Sequence, residues 1–219
     1  MSAELTKEKF IARLKNREGG EYLYQISVLK TPNENYTKYA HEYILGTETE
    51  EIGCGKLQLK GINKIRRKDS YKYSHSKTAQ SGSGRGEEWF VLDLFEKNKE
   101  YAQKVFGNVI DYQIPLKNSR EDKRVGKIDF IYEKDGELYI AEIKAADSDE
   151  SAMKAIIEVQ TYYQIVDKEK LLEDYGKSPD TKINKAIVLF KNAKGGKQVC
   201  ENELIKDLID KFDINVVLL

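Results

Sequence analysis

Residues 126–146 read GKIDFIYEKDGELYIAEIKAA. Two runs of strand-favouring residues flank Asp135-Gly136, the short-range signature of a two-residue hairpin turn. With those two residues at the turn, the register follows. Lys134 faces Glu137, Tyr132 faces Tyr139, Phe130 faces Ala141 and Asp129 faces Glu142. One face then carries Asp129, Ile131, Ile140, Glu142 and Lys144, with Leu138 near the turn. The other carries Ile128, Phe130, Tyr132, Tyr139, Ala141 and Ile143. Both faces are largely apolar, which predicts a sheet covered on both sides.

Two carboxylates directly opposite each other repel, and burial among isoleucines makes ionising both costlier. A cation between them removes the conflict. Lys144 supplies one positive charge on the same face, and a divalent metal could supply the rest. The plain alternative is a solvated acidic and basic rim on an edge hairpin, which Ile131 and Ile140 next door argue against.

Composition narrows the chemistry. The chain has 219 residues, 40% hydrophobic and 34% charged, enough for one sizeable core with a well-charged surface. No apolar run approaches a bilayer span, and MSAELTKEKF at the N-terminus lacks a signal-peptide core, so no membrane association is expected. Cys54 and Cys200 stand far apart without CxxC spacing, which excludes a cysteine-built cluster and fits a reducing cytoplasm. With only His41 and His75, a metal would be held by oxygen, hence Mg²⁺ or Mn²⁺. Net charge is zero, yet between Lys56 and Gly86 nine basic residues stand against the single acid Asp69. Such an asymmetry suits one polyanion-facing surface, for which Lys64, Arg66, Arg67, Lys68, Lys72, Lys77 and Arg85 are the candidates.

Along the chain, Leu5 to Asn16 reads as a short amphipathic helix and Glu21 to Lys30 as a strand alternating Tyr22, Tyr24, Ile26 and Val28. Tyr36 to Leu45 is ambiguous between helix and strand. Glu48 to Glu51 reads as a loop, and Leu57 to Ile65 holds a short strand. Residues 66–86 are nearly devoid of aliphatic side chains and read as a basic, Ser/Gly-rich linker. There Tyr71, Tyr73 and His75 interleave with lysines in a mix suited to base stacking and phosphate contact, or to a solvated loop of no specific role. Beyond it the pattern predicts a buried helix over Glu87 to Lys99, helix again over Tyr101 to Phe106, and a strand over Val109 to Leu116. The hairpin, a helix over Ser151 to Val166, a strand over Ala186 to Phe190, a helix over Asn202 to Phe212 and a strand over Ile214 to Leu219 follow. The fold class is α/β, a mixed sheet with helices on both faces, with residues 1–80 as an N-terminal α+β extension and 81–219 as the core.

Three features converge on the hairpin face. Gln160 lies on the stripe of Met153, Ile156, Ile157 and Tyr163 expected to pack on the sheet, where its amide needs polar partners. Those partners are either the site or the backbone. Glu87 and Glu88 open the buried helix, where a carboxylate favours the helix dipole and one of them could add an oxygen to a metal shell. Lys144 follows Glu142 by two residues, so both side chains share a face with the Ile143 carbonyl between them as a further candidate ligand.

Asp129, twelve intervening residues and then Glu142-Ile143-Lys144 resemble the PD-(D/E)XK nuclease superfamily, with Ile128 where the family name has proline. The order helix, three-stranded meander, helix, strand looks like its restriction-endonuclease-like core. Gln160 with Tyr163 is similar to the glutamine–tyrosine motif of RecB-like and NucS-like members. The resemblance implies that Asp129 and Glu142 bind Mg²⁺ and that Lys144 is catalytic. It also implies that Gln160 and Tyr163 position substrate or water and that Glu87 or Glu88 is the first-helix acid. The expectation is a metal-dependent DNA endonuclease, with RNA as an alternative substrate. A non-catalytic nucleic-acid-binding module and a protein-interaction domain are the rivals. Residues 1–80 could read DNA, contact a partner protein or form a homodimer.

Overall fold

A computed structural model of the chain describes residues 4–17, 21–72, 86–119, 122 and 125–219. The N-terminal part holds α1 (Lys7–Lys15), two 3-10 turns (Leu23–Gln25 and Ser27–Leu29), α2 (Glu34–Tyr43), a π-helical turn (Ile44–Glu48) and the hairpin of β1 (Thr49–Gly53) and β2 (Lys56–Leu59). The remainder runs α3 (Gly86–Glu96), α4 (Lys99–Phe106), β3 (Asn108–Pro115), β4 (Lys127–Lys134), β5 (Glu137–Ile143), α5 (Ala152–Ile165), α6 (Lys168–Asp174), β6 (Ile183–Leu189), α7 (Lys194–Glu201), α8 (Glu203–Phe212) and β7 (Ile214–Leu218).

The chain is α/β. Its main sheet has the order β3-β4-β5-β6-β7. β3, β4 and β5 form an antiparallel meander, and β6 and β7 add in parallel. Crossovers through α5 and α8 make the parallel pairings possible. The Asp135-Gly136 turn sets the expected register, with Lys134 opposite Glu137 and Phe130 opposite Ala141. Tyr132 and Tyr139 stack across it at 4.7 Å. β6 is buried along its whole length, as a central parallel strand covered on both faces should be.

Each face has its own apolar cluster. Phe130, Tyr132, Ala141 and Ile143 pack under α3 and α4. Ile131, Leu138, Ile140 and Ile187 pack under α5 and α8. Ile128 belongs with the second group, whereas strict alternation places it beside Phe130. The β4–β5 ladder ends at Phe130 and Ala141, and on the β3 side the left-handed Gln113 stands between the Tyr112–Phe130 and Ile114–Ile128 pairs, so the regular alternation is interrupted at Asp129. Phe10, Leu14, Leu23, Ile44 and Leu59 of the N-terminal part join the α5 cluster, so residues 4–72 complete the core on that side. No helix of the described residues is long and apolar enough to cross a membrane.

Several local expectations are corrected. Glu21 to Lys30 forms 3-10 turns because Leu23 and Leu29 are buried alongside Tyr24, Ile26 and Val28. A strand would turn the odd-numbered pair to solvent. Of Glu48 to Glu51, Glu48 closes the π-helical turn and Thr49 to Glu51 enter β1, since β2 supplies a partner. Tyr36 to Leu45 is mostly helix, started by the Asn33 side chain accepting the Tyr36 N–H. α3 buries Val91 and Leu94 but leaves Trp89 exposed. α6 and α7 were not legible. α7 contains Gly195-Gly196, poor helix formers, yet a Cβ at residue 196 would stand 2.1 Å from the Phe190 carbonyl oxygen.

Candidate functional site

The site lies where β4 and β5 part. A continued ladder would give the Ile143 N–H to a β4 carbonyl. It is donated instead to Asp129 Oδ2 at 2.9 Å. On the other side, Gln113 adopts a left-handed backbone with φ of 51°, an uncommon state for a residue with a side chain. Its amide approaches Asp129 Oδ1 at 3.4 Å. With regular pairing relaxed on both flanks, Asp129 faces a pocket of about 350 Å³ that it shares with Glu142, Lys144, Glu87 and Glu88.

Lys144 is the centre of the arrangement. Its Nζ lies 2.5 Å from Glu142, 3.1 Å from Glu158 and 3.2 Å from Glu150, and the residue is 4% exposed. Lys154 braces the same carboxylates, at 2.5 Å from Glu150 and 3.7 Å from Glu158. The Tyr162 hydroxyl donates to Glu158 Oε1 at 2.9 Å. Gly126 lets that hydroxyl approach, since a Cβ there would stand 2.1 Å from it.

The electrostatics follow from this burial. Burial pushes Asp129 up to about 7, against the pull of Lys144 and the Ile143 N–H. Burial, then Asp129 and Glu158, hold Glu142 well above the usual carboxylate range. Burial also opposes ionisation of Glu158, but Lys144 and Lys154 hold it below its ordinary value. Desolvation disfavours the Lys144 ammonium, and Glu142, Glu158, Asp129 and Glu87 together outweigh it, so its pKa is raised. Lys144 is therefore a locked cation, while Asp129 and Glu142 are acids held toward their neutral forms.

That donor set suits a hard cation. Asp129 and Glu142 offer carboxylate oxygens whose ionisation a Mg²⁺ or Mn²⁺ ion would relieve. Among the described residues no group of three or more His, Cys, Asp or Glu side chains is placed to hold an ion, so further ligands would come from water and substrate. Ile143 is absent from the pocket lining, and the backbone group it brings to Asp129 is its N–H. Glu87 and Glu88 both line the pocket. The charge of Glu87 acts on both Asp129 and Lys144.

Gln160 and Tyr163 do not reach the pocket. Gln160 accepts from Lys185 Nζ at 2.8 Å and donates to Gln164 at 2.9 Å, and Tyr163 lies beside it. Residues 158 and 160 are about 200° apart around a helix, so only one of them can face the acids. Glu158 takes that place and Tyr162 stands one turn on. The signal for them was a polar stripe, Lys154, Glu158 and Tyr162 at i, i+4 and i+8 of α5.

The basic segment divides. Lys64, Arg66, Lys68 and Lys72 are exposed. Arg67 is engaged with the Ser70 and Lys117 carbonyls and lies 5.3 Å from the Tyr71 ring. Tyr71 is not available for base stacking. It is fully buried, and its hydroxyl accepts the Asp167 N–H at 2.9 Å. Tyr73, His75, Lys77 and Arg85 lie outside the described residues. The segment is tied to α5 through the Ile65 N–H and to the loop after β3 through the Lys68 N–H. That loop carries Lys117, which lines the carboxylate pocket. Comparison with protein-family models, with curated proteins and with solved structures found no match.

Proposed function

We propose that the chain is a divalent-metal-dependent nuclease that hydrolyses phosphodiester bonds in DNA. The observation that carries this reading is Lys144, a buried ammonium two residues after Glu142, facing the same pocket as Asp129. The mixed sheet with its antiparallel meander, and the resemblance of Asp129, Glu142 and Lys144 to the PD-(D/E)XK pattern, support it. Asp129 and Glu142 would hold Mg²⁺ or Mn²⁺, with Glu87 beside them. The bound ion would supply Lewis-acid polarisation of the scissile phosphate.

Lys144, kept protonated by its carboxylates, offsets negative charge on the reacting phosphate rather than abstracting a proton. Glu150, Glu158 and Lys154 fix its position. Lys117 and Lys127 at the pocket edge, with Lys64, Arg66, Lys68 and Lys72 beyond, would hold the strand through its phosphates and make binding strongly salt-dependent. Two exposed free thiols, Cys54 and Cys200, fit action in a reducing cytoplasm.

The test is cleavage of duplex and single-stranded DNA by purified protein with Mg²⁺ or Mn²⁺, wild type against Lys144→Ala. Equal cleavage by both would sink the reading. A second reading, nucleic-acid binding without hydrolysis, draws support from the saturation of Lys144 by three carboxylates. It predicts DNA binding with no cleavage and no stabilisation by either metal.

A further inference from the structure

Helix α5 has a second polar flank. Gln160, Tyr163 and Gln164 turn away from the carboxylates and, with Lys64, Lys168 and Lys185, line another pocket of about 460 Å³. That volume falls within the range of small-molecule sites, ~300–1,000 Å³. Its charge is the opposite of the first. Among the lining residues, three lysines stand against the single carboxylate of Glu169.

Lys185 is 7% exposed. Its ammonium donates to the Gln160 amide oxygen and the Phe212 carbonyl, and among the described residues it forms no ion pair. Lys168 forms none either. Both ammonium groups lie over the Tyr163 ring, at 3.5 Å and 4.6 Å from its centroid. Two cations share one aromatic ring and neither has an ion-pair partner among the described residues, whereas the buried Lys144 has three. A buried lysine without an anion is costly. Lys64 adds a third positive charge at the mouth, loosely held by Asp167 at 3.6 Å.

The rest of the pocket is not cationic. Ile52, Ile62 and Val166 supply its apolar lining, and Ile52 is 58% exposed. Gln58 beside them gives its amide N–H to Glu50 at 2.8 Å, and nothing among the described residues donates to its oxygen. A ligand matching this lining has an anionic end and a body with an apolar face and a hydrogen-bond donor at its edge.

We propose that this pocket binds a nucleoside phosphate, with the phosphate against Lys64, Lys168 and Lys185 and the base against Ile52, Ile62 and Val166. Burial, then neighbouring positive charge, pulls Lys168 down to about 8. Lys185 is likewise drawn to about 8 by burial and by Lys168 and Lys56, against the pull of Asp213. A bound phosphate would reverse both. The proposal does not rest on the hydrolytic reading, since the two pockets lie on different flanks of α5.

Titration calorimetry of the full chain in chelator-containing buffer tests it, with AMP, adenosine and a short oligonucleotide bearing or lacking a 5′-phosphate. Wild type, Lys168→Met, the exposed-lysine variant Lys64→Met and the distant control Lys206→Met are compared. The expected result is saturable binding of a phosphate-bearing probe, weakened about tenfold or more by losing the phosphate or by Lys168→Met. Lys64→Met weakens it less, and Lys206→Met leaves it unchanged. Binding of AMP alone identifies a free nucleotide, and binding of the phosphorylated oligonucleotide alone identifies a strand end. Absence of saturable binding at millimolar AMP and phosphorylated oligonucleotide, or equal binding by wild type, Lys64→Met and Lys168→Met, overturns the proposal.

Discussion

The Lys144 ammonium and the Glu158 carboxylate meet at 3.1 Å, joining the end of β5 to the middle of α5. Glu142 and Glu150 approach the same nitrogen, so one cation holds three acids, from β5, the loop after it and α5. Removing it leaves buried carboxylates uncompensated, an effect of about 3–5 kcal/mol for a broken buried pair. Lys144→Met should therefore lower the denaturation midpoint well beyond what loss of a surface charge would. Glu158→Gln in that background should recover part of the loss, a coupling of ~1 kcal/mol or more between touching residues. Urea unfolding of the four proteins in the cycle measures it, and strict additivity would show that the contact carries no energy.

Asp129 links stability to pH. Its ordinary value is 3.8, and burial raises it to about 7 in the folded chain. Between these values the unfolded chain has released a proton that the folded chain keeps, so stability falls as pH rises through the window. The effect reaches about 4 kcal/mol at its upper limit. Glu142, raised in the same direction, adds to the slope. Asp129→Asn should flatten the metal-free profile and raise stability at pH 8. With Mg²⁺ present, wild type should gain melting temperature at pH 8 and Asp129→Asn should not. A variant that keeps the wild-type slope would place the titration elsewhere.

The central sheet was legible because Asp135-Gly136 pins one register and β-branched residues mark both strands. That Asp129, Glu142 and Lys144 share one pocket followed from that register, although the ladder itself stops at Phe130 and Ala141, one residue short of the expected Asp129–Glu142 pair. The face assigned to α5 did not. Ala155, Ile156, Ile157, Val159 and Tyr162 are all buried, because the N-terminal part covers the side that an exposed helix would leave polar. With apolar residues nearly all round, periodicity cannot say whether Glu158 or Gln160 meets the acids. The 3-10 turns before α2 were hidden for the same reason. Their alternating aromatics describe a strand only if Leu23 and Leu29 are ignored.

Gly126 and Tyr162 are matched in size. A Cβ at Gly126 would stand 2.1 Å from the Tyr162 hydroxyl and 2.8 Å from its ring carbon, and the ring is also packed edge-on against Tyr24 at 5.5 Å. Gly126→Ala should displace the hydroxyl, break its bond to Glu158 and cost about 1–3 kcal/mol. Tyr162→Phe removes the same bond without the clash. In the Tyr162→Phe background, Gly126→Ala should cost less than it does in wild type. Thermal unfolding of the two single variants and the double variant checks the inequality.

Gln164 does for β2 what a neighbouring strand would do. Its amide oxygen accepts the Leu59 N–H at 2.9 Å and its amide nitrogen donates to the Leu59 carbonyl at 2.8 Å. The same oxygen also accepts from Gln160 at 2.9 Å. Leu59 is 4% exposed, so Gln164→Ala strands buried polar groups on both elements, at about 1–3 kcal/mol for each group left unsatisfied. Hydrogen exchange resolves the effect by position. The Leu59 amide should lose protection by more than the global loss of stability explains, while amides of the central strand β6 should follow the global change. The basic segment after β2 remains tied to α5 by the Ile65 N–H, so Gln164→Ala should loosen β2 without releasing the segment. Unaltered protection at Leu59, or equal loss at Leu59 and in β6, would show that the N-terminal part is held to α5 by its apolar contacts alone.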